Sequence, residues 1–241
     1  MAGFSQIELS LRQQIQSDFT AEMIASAEEE RFADAPNFYD WREVYPEELQ
    51  DLHSNVAKVA AEAKVMAQKP WIPWPEDVLS GGSGNESNWT VFPFLHTFPA
   101  LDDSRSQWVG STCKECPYTV SLLKKIPNIR TALFSRMSGG TDLMEHTGWC
   151  DLANYVLRVH ICLDIPTDKE SCGLVVDGEV EHHKQGEILI FADSKSHKAF
   201  NNSEEERIVL IVDILRPVDI PLGTCVGGHT SQLNGLINMF A

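Results

Sequence analysis

The sequence predicts an α+β protein whose larger part is a double-stranded β-helix, or jelly roll, preceded by helices. Apolar residues recur at helical spacing mainly in the first third of the chain, and short apolar runs divided by turn residues fill the second half. With 43% hydrophobic residues among 241, the chain can bury one sizeable core. We therefore expect residues 1–70 to be an N-terminal helical extension packed on residues 71–241, the β-helix domain, in one compact unit.

The helices are predicted from periodicity and from residues typical of helix ends. Residues 5–32 carry spaced apolar positions among many charges, as surface helices do. A second helix begins at Pro46, where Glu47 and Glu48 suit the positive end of the helix dipole, and runs to Lys69. A third, short helix is predicted to end before Pro127.

The strands are predicted from short apolar runs with turn residues between them. The candidate strands cover residues 131–137, 154–164, 173–177, 187–192 and 207–215. Turns are expected at Ser138-Gly139-Gly140, at Asp177-Gly178 and at Lys184-Gln185-Gly186. Residues 70–88, rich in Pro, Gly and Ser, predict a flexible loop near the entrance to a site.

Charge and composition argue against several classes of protein. The chain has 35 acidic against 19 basic residues, a formal net charge of −16, which makes nucleic acid an unexpected partner. No apolar run is long enough to span a bilayer, and the N-terminus lacks the apolar core of a secretory signal, so we expect a cytoplasmic protein. Cys113 and Cys116 form a lone C-x-x-C, which we interpret as structural thiols.

Two histidines and two arginines in the β-rich half suggest a site. His146 follows a glycine turn, His197 follows an apolar strand in an expected loop, and Arg207 opens the next apolar run. Two imidazoles can hold a ferrous ion, and a guanidinium can bind a dicarboxylate that chelates it. Arg158 and His160 share one face of a strand, which is either an inward face needing an anion or metal, or an exposed outward face.

The remaining histidines are interpreted as having no role in the site. His182 and His183 lie in a polar turn and are expected to be solvated, and His96 is expected in a loop.

Several spaced motifs together resemble the aspartyl/asparaginyl β-hydroxylase domain family. The resemblance is ordered over roughly residues 89–217. The motifs are His146-Thr147-Gly148, Leu157-Arg158-Val159-His160, Asp164-Ile165-Pro166, the run from Gly186 to Ser194, His197, and the run from Arg207 to Asp213.

The resemblance implies an oxygenase that uses Fe(II), 2-oxoglutarate and O2 on a double-stranded β-helix. By motif position, His146 and His197 are the expected iron ligands. Arg207 is expected to pair with the distal carboxylate of 2-oxoglutarate, assisted by Ser135.

Three further residues are assigned to the pocket by the same resemblance. His160 and Arg158 are expected to line the cosubstrate and substrate sides, with Arg158 also a candidate substrate clamp. Trp89 falls where the family has an aromatic residue of the cosubstrate pocket.

The chain departs from the wider enzyme class at one metal ligand. The usual facial triad has a carboxylate two positions after the first histidine, where this chain has Gly148. The family resembled also has glycine there, with two histidines and water. Glu145 and Asp151 are the nearby acids, and neither is assigned as a ligand.

The chain also departs from the family members that hydroxylate acidic residues of extracellular modules. Those members have a further arginine where this chain has Val156, and a cysteine pair of which Cys113 has a counterpart while Val120 takes the other place.

The expected function is hydroxylation of an unactivated carbon of an amino-acid, peptidyl or acyl substrate, whether a small molecule, a carrier-bound group or a peptide. The alternative is a non-catalytic jelly-roll module that binds a dicarboxylate or a metal. A third possibility is a cupin isomerase or oxygenase without 2-oxoglutarate, against which Arg207 argues.

Overall fold

The computed structural model describes residues 32–74, 88–228 and 230–238. The surface helices expected over residues 5–32 therefore lie almost entirely outside the described residues, as does most of the loop expected over 70–88. The helices described are α1 Trp41–Val44, α2 Pro46–Ser54, α3 Val56–Met66, α4 Gly110–Glu115, α5 Pro117–Leu123, α6 Cys150–Ala153 and α7 Ser231–Asn238, with one 3₁₀ turn at Asp103–Arg105.

Twelve strands are described, and they form two sheets. They are β1 Phe38–Tyr39, β2 Ile72–Pro73, β3 Trp89–His96, β4 Gln107–Trp108, β5 Ile129–Met137, β6 Thr141–Asp142, β7 Val156–Asp164, β8 Cys172–Val176, β9 Glu179–His182, β10 Ile188–Phe191, β11 His197–Asn201 and β12 Arg207–Leu215. The eight-stranded sheet has the order β1-β10-β7-β12-β5-β3-β2, with β4 paired to β3, and the four-stranded sheet has the order β6-β11-β8-β9. The pairs within both sheets are antiparallel.

The helices, the larger sheet and the smaller sheet form three layers. One apolar cluster joins helix residues such as Leu49 and Leu123 to Leu210 of the larger sheet. A second cluster joins Ile211 of the larger sheet to Leu174 of the smaller sheet. The larger sheet therefore has an outer face against the helices and an inner face toward the smaller sheet, which is the jelly-roll arrangement predicted from the sequence.

The predicted helix from Pro46 to Lys69 is two helices. The break is at Asn55, whose side-chain amide donates to the carbonyl of Asp51 at 2.9 Å. Such a side chain competes with the backbone for helix hydrogen bonds, which explains the interruption of an otherwise continuous apolar face. The boundary that we predict near residue 70 falls between α3 and β2, and the segment before it supplies β1 to the larger sheet.

The five predicted strands are confirmed within a few residues as β5, β7, β8, β10 and β12. The strands β1, β2, β4, β6, β9 and β11 were not predicted. Most important is β11, because it begins at His197, which we expected in a loop. The sequence His197-Lys198-Ala199-Phe200-Asn201 lacks a clear apolar alternation and forms a strand by pairing with β8. His197 is consequently fixed by sheet hydrogen bonds.

Two absences bear on the expectations from composition. Among the helices that the structure describes, none combines the length and the apolar character needed to cross a bilayer. All six cysteines are in the described residues and none forms a disulfide, Cys113 and Cys116 included.

Candidate active site

His146 and His197 lie side by side on two adjacent antiparallel segments of the chain. They form an isolated antiparallel bridge, in which the amide of each donates to the carbonyl of the other at 2.9 and 2.8 Å. Their ring centroids are 4.4 Å apart and the rings are inclined by 55°. The two imidazoles that sequence reasoning assigned as metal ligands are thus brought together by backbone pairing.

The backbone also sets the tautomer of both rings. Nδ1 of His146 lies 2.8 Å from the carbonyl of Met144, and Nδ1 of His197 lies 2.9 Å from the carbonyl of Lys195. Because a carbonyl only accepts, the Nδ1 of each ring carries a hydrogen, so that Nε2 is the nitrogen that can offer a lone pair. Burial, with His146 as the next contribution, holds the pKa of His197 well below its usual range, so His197 is neutral.

Asp193 is a third residue of this site, and sequence reasoning did not single it out. Its Oδ1 lies 3.4 Å from Nε2 of His197, and its side chain is 1% exposed. A Cβ atom built on Gly148 would lie 2.0 Å from Asp193 Oδ2. The carboxylate of Asp193 therefore occupies the space that a side chain at position 148 would need. Its only sequence signal is its place four residues before His197, at the end of an apolar run.

Arg158 is held between two buried carboxylates. Its Nε and Nη2 donate to Oδ1 and Oδ2 of Asp213 at 2.8 and 3.0 Å, a bidentate pair across β7 and β12. Its Nη1 lies 2.5 Å from Oδ1 of Asp193, as an ion pair without hydrogen-bond geometry. Any carboxylate substrate would have to compete with these two partners for Arg158.

Arg207 is buried at the start of β12 and is poorly satisfied. Its Nη2 approaches the sulfur of Met137, a weak acceptor, and no described residue accepts a hydrogen bond from its Nε or Nη1. Its exposed fraction is 2%, and burial lowers its pKa to about 10. A buried guanidinium with two unused donor groups is costly, and an anionic ligand would remove that cost.

Ser135 and Trp89 lie together on neighbouring strands. The indole Nε1 of Trp89 donates to Oγ of Ser135 at 3.0 Å. Ser135 is paired in register with Val209, two residues beyond Arg207 on β12. Both side chains are buried. The structure thus places these two predicted cosubstrate residues on the same inner face as Arg207.

His160 lies on the inner face together with Arg158, and its partner His183 overturns a sequence expectation. Arg158 and His160 both point inward, since Val159 between them belongs to the outer apolar cluster. We expected His183 to be solvated, but it is 0% exposed and its Nε2 lies 3.2 Å from Nδ1 of His160. That prediction is wrong because β9 turns the end of the polar segment back over β8, where the amide of His183 donates to the carbonyl of Cys172.

Burial and several nearby ionisable groups together shift the pKa of His160. Burial lowers this pKa well below its usual range, and the nearby His183, Arg207, Arg158 and His197 add to the effect in that order. A neutral imidazole next to two guanidinium groups can share the binding of an anion without adding to the local charge.

His146 and His197 are the two side chains of this arrangement that could hold a metal ion. No three His, Cys, Asp or Glu side chains gather around one point in the described ranges. The lone pair of His197 Nε2 and Oδ1 of Asp193 are two acceptors facing each other at 3.4 Å. A cation bound to the two imidazoles would suit this contact, so the donor set fits a divalent metal held by His146 and His197.

The comparisons with known proteins agree with the family resemblance. A family model described as aspartyl/asparaginyl beta-hydroxylase matches residues 53–217. The chain is similar to the ornithine lipid ester-linked acyl 2-hydroxylase of Rhizobium tropici, with 31% identity over 160 residues, 66% of this chain and 53% of that protein. It is also similar to the human aspartyl/asparaginyl beta-hydroxylase, with 34% identity over 179 residues, 72% of this chain and 22% of that protein.

The chain thus spans about half of the first relative and about a fifth of the second. Among solved structures, it is similar to an oxidoreductase of the 2OG-Fe(II) oxygenase family from Burkholderia pseudomallei. That similarity has a TM-score of 0.46 and 15% identity, and it covers 70% of this chain and 91% of the other.

Proposed function

Since the chain belongs to the aspartyl/asparaginyl β-hydroxylase family, we propose that it is an Fe(II)- and 2-oxoglutarate-dependent dioxygenase with a two-histidine iron site. The observation that carries this proposal is the combination of two juxtaposed imidazoles with a buried, unsatisfied Arg207 inside one β-helix. The imidazoles suit a ferrous ion, and the guanidinium suits a dicarboxylate cosubstrate.

In this proposal the metal is held by Nε2 of His146 and of His197. Both rings are oriented by bonds from Nδ1 to backbone carbonyls, which raises the basicity of Nε2 and fixes the ring planes. Asp193 supplies a negative charge next to His197 without standing in the sequence position of the usual third ligand. The space for a ligand at position 148 is already filled by that carboxylate.

Arg207 is proposed to bind the distal carboxylate of 2-oxoglutarate. Each hydrogen bond from a charged donor of this kind contributes roughly 1.5–3 kcal/mol. The hydroxyl of Ser135, which already accepts from Trp89, can donate its own hydrogen to the same carboxylate. His160 and Arg158 complete the wall on β7.

Bound Fe(II) supplies oxygen activation, in which 2-oxoglutarate is oxidised to succinate and CO2 while the substrate gains a hydroxyl group. The protein orients the cosubstrate and excludes water. Arg207, Ser135 and His160 are each at most 4% exposed, so the proposed cosubstrate site is screened from bulk solvent.

The substrate is proposed to be an amino-acid, peptidyl or acyl group. The names of the two relatives span this range, because one acts on a lipid acyl group and the other is named for aspartyl and asparaginyl residues. A cytoplasmic location remains a prediction from the sequence.

An anaerobic titration tests the proposal. Adding 2-oxoglutarate to the Fe(II)-loaded protein should produce the weak visible charge-transfer band of a chelated complex, and His197→Ala should lose it. Identical spectra for the wild type and His197→Ala would contradict the assignment of His197 as an iron ligand. If 2-oxoglutarate stabilised the protein against heat but no succinate formed with any substrate class, a non-catalytic dicarboxylate-binding module would be favoured instead.

A further inference from the structure

Two histidines on the inner face form a buried pair. His160 is in β7, and His183 directly follows β9 of the smaller sheet. Nδ1 of His160 lies 3.2 Å from Nε2 of His183, while the ring centroids are 5.5 Å apart and the ring planes differ by only 19°. The rings therefore meet edge to edge, as a hydrogen bond between two imidazoles requires. His183 is fully buried and His160 nearly so, which shields this contact from water.

Only one hydrogen can lie between the two facing nitrogens. Burial is the main reason why the pKa of each histidine lies well below its usual range, so both rings are neutral. A neutral imidazole has one N–H donor and one lone pair. The hydrogen bond between the rings therefore has two possible arrangements, with the donor either on Nε2 of His183 or on Nδ1 of His160.

The second nitrogen of His183 favours His183 as the donor. Its Nδ1 is buried, and no described residue forms a hydrogen bond with it. If His160 were the donor, Nδ1 of His183 would carry a buried N–H without an acceptor, which is rare in folded proteins. If His183 is the donor, its Nδ1 has a lone pair instead, and a buried acceptor without a partner is the less rare of the two cases.

The direction of this bond decides what the other side of His160 offers. The two nitrogens of an imidazole point in different directions, so Nε2 of His160 is turned away from His183. When Nδ1 accepts the bond from His183, the hydrogen of the neutral His160 ring is on Nε2. Nε2 is then a donor. A carboxylate only accepts hydrogen bonds, so it would bind this N–H, whereas a lone pair in the same place would repel it.

We propose that His183 is a positioning residue for the cosubstrate site. Its Nε2–H donates to Nδ1 of His160 and thereby keeps on Nε2 of His160 the hydrogen that binds a carboxylate group of 2-oxoglutarate. The inference rests on the proposed function for the identity of this cosubstrate. A neutral donor complements the nearby Arg207, because it adds a hydrogen bond to the anion without adding a second buried charge.

The position of the hydrogen on His160 can be measured without metal or turnover. In the metal-free protein carrying isotope-labelled histidine, long-range proton–nitrogen correlation spectra distinguish a nitrogen that bears a hydrogen from one with a lone pair. We expect His160 to have its hydrogen on Nε2 in the wild type and to show a mixture of both forms in His183→Phe. The loss of its signals in His160→Phe assigns them. A hydrogen on Nδ1 of His160 in the wild type would overturn the inference.

Calorimetry of 2-oxoglutarate binding tests what the hydrogen bond contributes. His183→Phe should weaken binding about 2- to 10-fold, the effect of one neutral hydrogen bond. His183→Gln, whose amide keeps an N–H donor, should retain more of the affinity. His182→Phe is a matched control in the same segment, because His182 contacts Phe200, and it should leave the affinity unchanged. Circular dichroism would show that each variant is folded.

A double-mutant cycle separates positioning from a general loosening of the fold. In the His160→Phe background, adding His183→Phe should cause no further loss of 2-oxoglutarate affinity, because the effect of His183 passes through His160. A further loss as large as that in the wild-type background would mean that His183 acts independently of His160, and it would overturn the inference.

The outcomes also separate this inference from the proposed function. Equal 2-oxoglutarate affinity in His183→Phe and the wild type would overturn the role of His183 and leave the oxygenase proposal standing. No binding of 2-oxoglutarate by the wild type, together with a hydrogen on Nε2 of His160, would overturn the proposed function and support the hydrogen bond from His183.

Discussion

The two faces of the eight-stranded sheet are both buried but are built from different chemistry. All nine residues of β12 are buried. On the outer face, Leu210 and its neighbours meet helix side chains in an apolar cluster. On the inner face, the same strand begins with Arg207 and carries Asp213 near its other end, with apolar residues between them. The alternation of one strand therefore separates stabilisation from the proposed chemistry.

The outer face should carry most of the stability, and Leu210→Ala tests this. Leu210 is 0% exposed, so truncation leaves a cavity among packed helix and sheet side chains. We expect a loss of about 2–5 kcal/mol in the free energy of unfolding, measured by urea denaturation. The affinity for 2-oxoglutarate of the protein that remains folded should be unchanged. A loss below about 0.5 kcal/mol, the size of an ordinary surface effect, would contradict this account of the outer face.

The inner face should carry cosubstrate affinity, and Arg207→Met tests this. Removing charged hydrogen bonds worth roughly 1.5–3 kcal/mol should weaken 2-oxoglutarate binding about 10- to 150-fold in calorimetry. Without cosubstrate, the variant should be as stable as the wild type or more so, because an unsatisfied buried charge is removed.

A control for this variant is available on the neighbouring strand. Arg136 donates to Thr90 and to the carbonyl of Ala67, so its guanidinium is already satisfied. Arg136→Met should lower stability and leave 2-oxoglutarate affinity unchanged. Equal weakening of 2-oxoglutarate binding by Arg207→Met and Arg136→Met would contradict the proposal that the inner face of the sheet binds the cosubstrate.

The sequence predicted the strands of the inner face better than their contacts. Apolar runs located β7 and β12, and alternation predicted that Arg158 and His160 share a face. The partner of Arg158 could not be predicted, because Asp213 lies 55 residues away and meets it through strand register. His183 was missed because a polar segment gives no sign that a neighbouring strand will bury it.

Gly148 is a second case in which a contact with a distant residue could not be predicted from the sequence. Its small size was visible in the sequence as a missing carboxylate, but the reason for it is a contact with Asp193, 45 residues later, that only the folded chain reveals. The spacing of residues along the chain can predict which side chains are ligands. The space around a ligand depends instead on how residues from distant parts of the chain pack against it.

Gly148→Ala tests whether that space is needed. The added Cβ would lie 2.0 Å from Asp193 Oδ2 and 2.7 Å from Cβ of Ala153, so the carboxylate must move. We expect a loss of about 1–3 kcal/mol in stability from overpacking. Displacing a group next to a metal ligand should also weaken Mn(II) or Fe(II) binding about 10- to 100-fold in calorimetry.

Gly110→Ala is the matched control, because a Cβ at that helix position meets nothing within 4 Å. It should leave both stability and metal affinity near the wild-type values. Unchanged metal binding in Gly148→Ala would mean that the position of Asp193 is unimportant for the metal.

The smallest expected effect concerns the acid sensitivity that buried histidines confer on the inner face. Burial, with Arg207 as the next cause, holds the pKa of His183 well below its usual range. The unfolded chain therefore takes up a proton at His183 near pH 6.5, whereas the folded chain does not. The contribution of the neutral His183 to the free energy of unfolding is thus full above that pH and is lost as the pH falls. One such group steepens the fall of the free energy of unfolding by up to about 1.4 kcal/mol per pH unit.

His183→Phe and His183→Gln should both show a shallower fall of the free energy of unfolding between pH 6.5 and 5.5, measured by urea denaturation at each pH. The phenylalanine variant should be the less stable of the two at pH 7.5, since it leaves Nδ1 of His160 without its partner. Slopes equal to that of the wild type would show that His183 does not resist protonation in the folded protein.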